Sequence, residues 1–296
     1  MISRPIVAAA FIAACCDELE APKPGNVHVY ASGHRMTAAQ FADSAAAAAD
    51  PLCAPGARVG ARIRGAVEAT LAAVGANTNL GIVLLCAPLA AAAERDTPKL
   101  RDGLVAVLDD LDIRDADDAF AAIVQASPAG LGRVKRHDVF AAAQVTLKQA
   151  MAEAAHRDLV ARQYATGFAD VFDLGMRLHA AAATRWSDPR LAALAVYLGF
   201  LSRFPDSHIV RKHGAGVAAE VCRMAMKFDA LMWSAQEPAD LFAELLAWDA
   251  VLKARGINPG TTADLTVAAL FAHRLQSALL QSALLQSVLP SGRNSG

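Results

Sequence analysis

Apolar residues return every three or four positions through eight stretches of this 296-residue chain: 38–49, 59–74, 99–108, 139–171, 191–204, 217–231, 238–253 and 262–289. That period lines them along one side of an α-helix, and most of the stretches are longer than a strand. Roughly a quarter of the residues are alanine, the strongest helix former, and the β-branched residues that favour sheets are sparse. No Asn-Gly or Asp-Gly turn joins alternating runs, and no strand leads through a glycine loop into a helix. The expected fold is all-α, a single compact multi-helix bundle. Residues 1–275 are read as one domain and 276–296, where a Gln-Ser-Ala-Leu-Leu unit repeats, as a helical or disordered tail; a partner helix is the other reading of that tail.

With 55% hydrophobic and 19% charged residues the chain is not a disordered one. Its 28 Lys and Arg against 29 Asp and Glu leave a net charge of -1, so neither nucleic acid nor an anionic membrane is an expected partner. Five cysteines without a Cys-x-x-Cys pair read as reduced thiols of a cytoplasmic protein. The apolar run 6–16 imitates a short export signal, but acids follow at once, and a buried first helix is the favoured reading. The run 81–93 is interrupted by Pro88, so no segment is expected to span a membrane. A mean hydropathy of +0.30 makes a homodimer one expectation.

Between the helical stretches lie loops rich in Gly, Pro and Asn, where backbone donors and polar side chains can converge on a ligand. Pro22, Lys23, Pro24, Gly25, Asn26, Val27 and His28 form a stiff turn whose lysine suits a phosphate, and His34 and Met36 follow. Gly75 to Gly81, with Asn77, Thr78 and Asn79, opens an apolar helix; capping alone explains it, and so does an anion site. Arg133, Lys135, Arg136 and Asp138 read either as a solvated basic loop or as a polyphosphate clamp. His156, Arg157 and Asp158 fit a charged helix face as readily as a site. Asp206, His208, Arg211, Lys212 and His213 lie within eight residues, the densest such cluster; a five-residue spacing argues against His208 and His213 sharing a metal. Asn258, Pro259, Gly260, Thr261, Thr262 and Asp264 run into the last helix, where the acid serves the helix dipole or holds Mg²⁺ beside a phosphate chain. No P-loop, Gly-x-Ser-x-Gly or His-Glu-x-x-His motif is present.

Taken in order, these loops resemble the triphosphoribosyl-dephospho-CoA synthase family. The family pattern is Pro-Lys-Pro-Gly-x-Val, then a segment ending in Met, then Gly-x-Asn-Thr-His-Lys-Gly before an apolar helix, then Asn-Pro-Gly-Gly-x-Ala-Asp-Leu. The chain answers with Pro22 to Val27 and Glu18 upstream, His34 to Met36, Gly75 to Gly81, and Asn258 to Leu265. It departs at Asn79 and Leu80, where the family has His-Lys, and at Arg35, where the family has an acid. The middle of the chain is similar to the branch found in methanogens and methylotrophs.

The resemblance implies an ATP-dependent pentosyl transfer: an acceptor hydroxyl attacks C1′ of ATP and displaces adenine. Such a step needs a base, stabilisation of an oxocarbenium-like centre and cations for the phosphates. The expected catalytic groups are His28, His34, Asp206 and His208. Lys23, Gly25, Asn77, Thr78, Arg133, Arg211, His213, Asn258 and Gly260 are expected to bind substrate or phosphate, with Mg²⁺ on Asp206 and Asp264. The partners implied are a nucleotide donor and an alcohol acceptor. That acceptor is dephospho-CoA or, as the alternative, a tetrahydromethanopterin-type precursor taking a ribosyl phosphate from ATP or phosphoribosyl pyrophosphate. The loss of the His-Lys pair keeps open a third reading, a non-catalytic helical nucleotide-binding or scaffold protein.

Overall fold

The computed structural model describes residues 2–127 and 137–288. Among these residues the chain forms fourteen α-helices and no strand. They are α1 (Arg4–Glu20), α2 (Ala38–Leu52), α3 (Val59–Val74), α4 (Leu80–Ala92), α5 (Leu100–Asp109), α6 (Ile113–Ala126) and α7 (Leu147–Ala154) in the first half. In the second half come α8 (Leu159–Thr166), α9 (Met176–Arg185), α10 (Pro189–Leu201), α11 (Ser207–His213), α12 (Ala215–Ser234), α13 (Phe242–Ala254) and α14 (Gly260–Val288). The all-α bundle is as expected.

Side chains at the helix starts explain where many helices begin. Thr37 with Gln40, Asp112 with Asp115 and Thr146 with Gln149 form reciprocal caps on α2, α6 and α7. Asp158 and Asp206 accept from the first free amides of α8 and α11. Gly75 ends α3 in the left-handed region, φ 69°. The stretch 139–171, read from its spacing as continuously helical, is instead cut into pieces. Residues 139–146 are not helical, Asp158 opens a new helix, and Gly167 closes it with φ 63° before a π-helical turn at Asp170–Gly175. Capping and a left-handed glycine override the apolar period there.

The core is built around α4, α10 and the first half of α14 (residues 261–272), which are buried on nearly every side. Phe11 of α1 meets Phe271 of α14 edge to face, with ring centroids 5.7 Å apart. Full burial of each such side chain contributes about 1.5–3 kcal/mol. The small residues Ala45, Ala48 and Ala49 of α2 are buried against the same core. Helix α1 buries one face, Val7, Phe11, Ala14, Cys15 and Leu19, in this core and leaves Ile6 exposed. Helix α14 runs unbroken across position 276, where Gln276 accepts from the Leu100 amide and donates to the Pro98 carbonyl. No described helix is long and apolar enough to cross a membrane.

Candidate active site

Two loops far apart in sequence dock face to face. Gly25, with φ 83°, lets the turn after Lys23 lie against Pro259; a β-carbon on Gly25 would sit 2.8 Å from Pro259 Cδ and 3.1 Å from the Ile257 carbonyl. Asn26 donates to Asn258 Oδ1 at 2.9 Å, and the Gly25 amide donates to Asp249 Oδ1 at 2.8 Å. From the core side Tyr197 donates its hydroxyl proton to the Pro24 carbonyl at 2.7 Å. His34 reaches back to the Gly25 carbonyl through Nε2 at 2.8 Å.

Beside these loops opens a cavity of about 740 Å³ on which the starts of four helices converge. Leu80 and Gly81 come from α4, Asp158 and Val160 from the start of α8, Ser207 and His208 from α11, and Gly260, Thr261 and Asp264 from α14. The positive ends of their helix dipoles point at the cavity and favour anions there, although several of the first amides are taken by Asn77, Asp158 and Asp206. Arg157, Arg211 and Lys212 add charge on the same wall. Arg211 pairs with Asp158 at 3.1 Å. His208 stays neutral well into acid: burial, then Arg211, Lys212, His34 and His213, lowers it to about 4. Apolar side chains, Leu84, Phe120, Ile123, Met151 and Val160, also line the cavity.

Two carboxylates face this space without protein neutralisation of every oxygen. Among the described residues Asp264 has no hydrogen-bonded partner, and it lies against the α-carbon of Gly81, where any β-carbon would overlap it. Burial, then the charges of Asp206, Glu18 and Asp158, raises its carboxyl well above the usual range. Glu18, buried on α1, lines the cavity and takes an ion pair from Lys23 on one oxygen. Burial raises its carboxyl too, outweighing Lys23.

Of the residues expected from sequence, His34, Asn77, Thr78, His208, Arg211, Asn258, Gly260 and Asp264 line the cavity. Arg133 lies outside the described residues. The structure corrects the direct roles expected of the others. Lys23 is fully buried behind the wall, spent on Glu18 and on Asn26 Oδ1 at 3.1 Å, so it does not meet a phosphate. Gly25 is consumed by loop docking. His28 is buried in a network with Asp249 and Lys253, its Nε2 3.4 Å from Asp249 Oδ2. His213 turns to the Gly256 carbonyl at 3.0 Å. Asp206 is fully buried; one oxygen accepts from the amides of His208 and Ile209 and the other from the amide and hydroxyl of Thr262. Its carboxylate ties α11 to α14 and has no capacity left for a metal or a proton transfer. Asn79, at the departure from the family pattern, is buried and donates to Thr70 Oγ1 at 3.0 Å.

The profile of the family described as ATP:dephospho-CoA triphosphoribosyl transferase, CitG, matches residues 5–282. The chain belongs to the CitG family. Its activity class is therefore transfer of a triphosphoribosyl group from ATP, a pentosyltransferase reaction, rather than passive scaffolding. The fold is shared with a candidate triphosphoribosyl-dephospho-CoA synthase of Archaeoglobus fulgidus, solved by crystallography. The two chains are 24% identical with a TM-score of 0.60, over 78% of this chain and 96% of that one. No curated protein matches the chain. The CitG assignment gives the cavity its context: the Pro-Lys-Pro-Gly, Gly-x-Asn-Thr and Asn-Pro-Gly loops that carried the resemblance border one space.

Proposed function

We propose that the cavity bounded by α1, α4, α11 and α14 is where this CitG protein transfers the triphosphoribosyl group of ATP to an acceptor hydroxyl. One observation carries the reading: a cationic wall and two incompletely neutralised carboxylates adjoin in a single cavity. The transition state of the transfer has the same division, with an anionic triphosphate beside a ribosyl carbon that becomes positive as adenine leaves. In this reading Arg157, Arg211, Lys212 and the helix starts hold the triphosphate. Asp264 faces the oxocarbenium-like carbon, whose developing positive charge favours the ionised carboxylate and is stabilised by it. Neutral His208, Asn77, Thr78 and Asn258 orient the ribose and phosphates by hydrogen bonding.

Asp264 fits a Mg²⁺ ion, because its carboxylate is unpartnered among the described residues and disfavoured by burial and neighbouring acids, and Mg²⁺ commonly combines one or two carboxylates with phosphate oxygens and water. Asp206 does not fit, since its oxygens are fully engaged. Among the described residues no three His, Cys, Asp or Glu form a metal cluster, in keeping with an ion that arrives with the nucleotide. When bound, Mg²⁺ would supply neutralisation of the triphosphate.

The acceptor proposed is dephospho-CoA. The apolar arm around Phe120, Ile123 and Met151 also favours a second reading, a pterin-type C1-carrier precursor whose flat ring would pack there. Incubation with ATP, Mg²⁺ and each acceptor, followed by mass spectrometry, tests both. The expected products are free adenine and an acceptor heavier by the phosphorylated ribose. Formation of ADP without adenine would replace the proposal with a kinase.

A further inference from the structure

Resting on the transfer reading above, we infer that Glu18 is the base that takes the proton of the attacking hydroxyl, with Lys23 as its positioning residue. Three observations lead there. Glu18 lines the cavity, although it was singled out in the sequence only as the acid upstream of the Pro-Lys-Pro-Gly turn. Its Oε1 is fixed by Lys23, while among the described residues Oε2 takes no hydrogen bond. Lys23 is itself anchored by Asn26, and Asn26 by Asn258 on the loop that leads into Asp264. The carboxylate is thereby held in one orientation by a chain of buried polar contacts, the condition under which a base acts without losing rotamer freedom at each turnover.

The other candidates serve less well. His34, tied through Nε2 to the Gly25 carbonyl, lies where burial first, then Lys212 and Lys253, disfavour an imidazolium. His208 stands among Arg211, Lys212 and His213, so an imidazolium formed there would be repelled by its surroundings and would compete for the triphosphate wall. Asp264 sits over the first turn of α4, the position suited to the positive carbon and its phosphates. Glu18 also has the right intrinsic basicity, because burial holds its carboxyl above the usual carboxylate range.

In the step, the hydroxyl proton passes to Glu18 Oε2 as the acceptor oxygen bonds to C1′. The C1′–N9 bond breaks with its electron pair leaving on the purine, which takes a proton from water and departs as adenine. Glu18 then returns its proton to water through the cavity.

The test uses the full chain with ATP, Mg²⁺ and dephospho-CoA, measuring adenine release in single turnover and ATP affinity by calorimetry. Glu18→Gln should slow release by about 10²–10⁴-fold, with ATP affinity within about threefold of wild type, and in Glu18→Ala, which opens the space, added formate should restore part of the rate. Lys23→Met should keep a measurable rate but move the acidic limb of the pH profile upward, a change that lost packing alone would not produce. Should Glu18→Gln fail to fold, the double variant Glu18→Gln, Lys23→Met removes both buried charges at once and carries the same prediction. Release by a folded Glu18 variant within about fivefold of wild type overturns the inference while the transferase reading stands. Absence of adenine release by the wild-type chain overturns that reading, and this inference with it.

Discussion

The carboxylate of Asp264, on the first turn of α14, lies directly over the α-carbon of Gly81 on the first turn of α4. Only a residue without a side chain leaves room for it, so two motifs separated by most of the chain are shaped to each other.

Gly81→Ala is therefore expected to push Asp264 out of place. Overpacking of this kind costs about 1–3 kcal/mol, and adenine release should fall at least as far as in Asp264→Asn. The double variant Gly81→Ala, Asp264→Gly relieves the overlap; it should recover the melting temperature without recovering activity. Full activity in Gly81→Ala would show that the contact does not matter to the reaction.

Removing one hydroxyl tests the support under the Pro-Lys-Pro-Gly turn. In Tyr197→Phe the buried Pro24 carbonyl loses its donor, an expected loss of about 1–3 kcal/mol in denaturant melts. A change below roughly 0.5 kcal/mol would mean that water replaces the hydroxyl.

Lys212 faces the cavity from α11. Lys212→Met should weaken ATP binding about three- to tenfold at low salt, and the difference should shrink as salt is raised, because a charge near the surface is screened. Equal affinities measured by calorimetry at low salt would remove Lys212 from the phosphate wall.

Acid should destabilise the protein through His179. Burial, then His273 and Arg274, lowers its imidazole to about 4, against about 6.5 in an unfolded chain. Between these values the unfolded state binds more protons, so this contribution to stability is present above pH 6.5 and is lost as pH falls toward 4. His179→Phe removes that pH dependence. Between pH 7 and 4.5 the wild-type melting temperature should fall further than that of the variant, and parallel curves would contradict the assignment.

Much of this architecture could be read directly from residue order. The three- and four-residue spacing foretold α2, α3, α5, α10, α12 and α13, and the Gly, Pro and Asn loops foretold where function gathers. The stretch 139–171 misled because the apolar period ignores the local competition of Asp158 and Gly167. Glu18 was passed over as a site residue because one acid at the end of an apolar helix carries no local signal of what it will face.

What the sequence determined by itself is what depends on neighbours within a turn or two: helical period, caps, chain reversals, and membership of a motif pattern. Which loop residue turns toward the cavity and which turns away depends on contacts such as Asn26 to Asn258, 232 positions apart, and Asp206 to Thr262, 56 apart. Those contacts turned Lys23, His28 and Asp206 from expected site residues into the frame behind the wall. They left Glu18 and Asp264 facing the space. A polar side chain in a loop must spend its hydrogen bonds somewhere, and only the packed tertiary structure decides whether protein or ligand receives them.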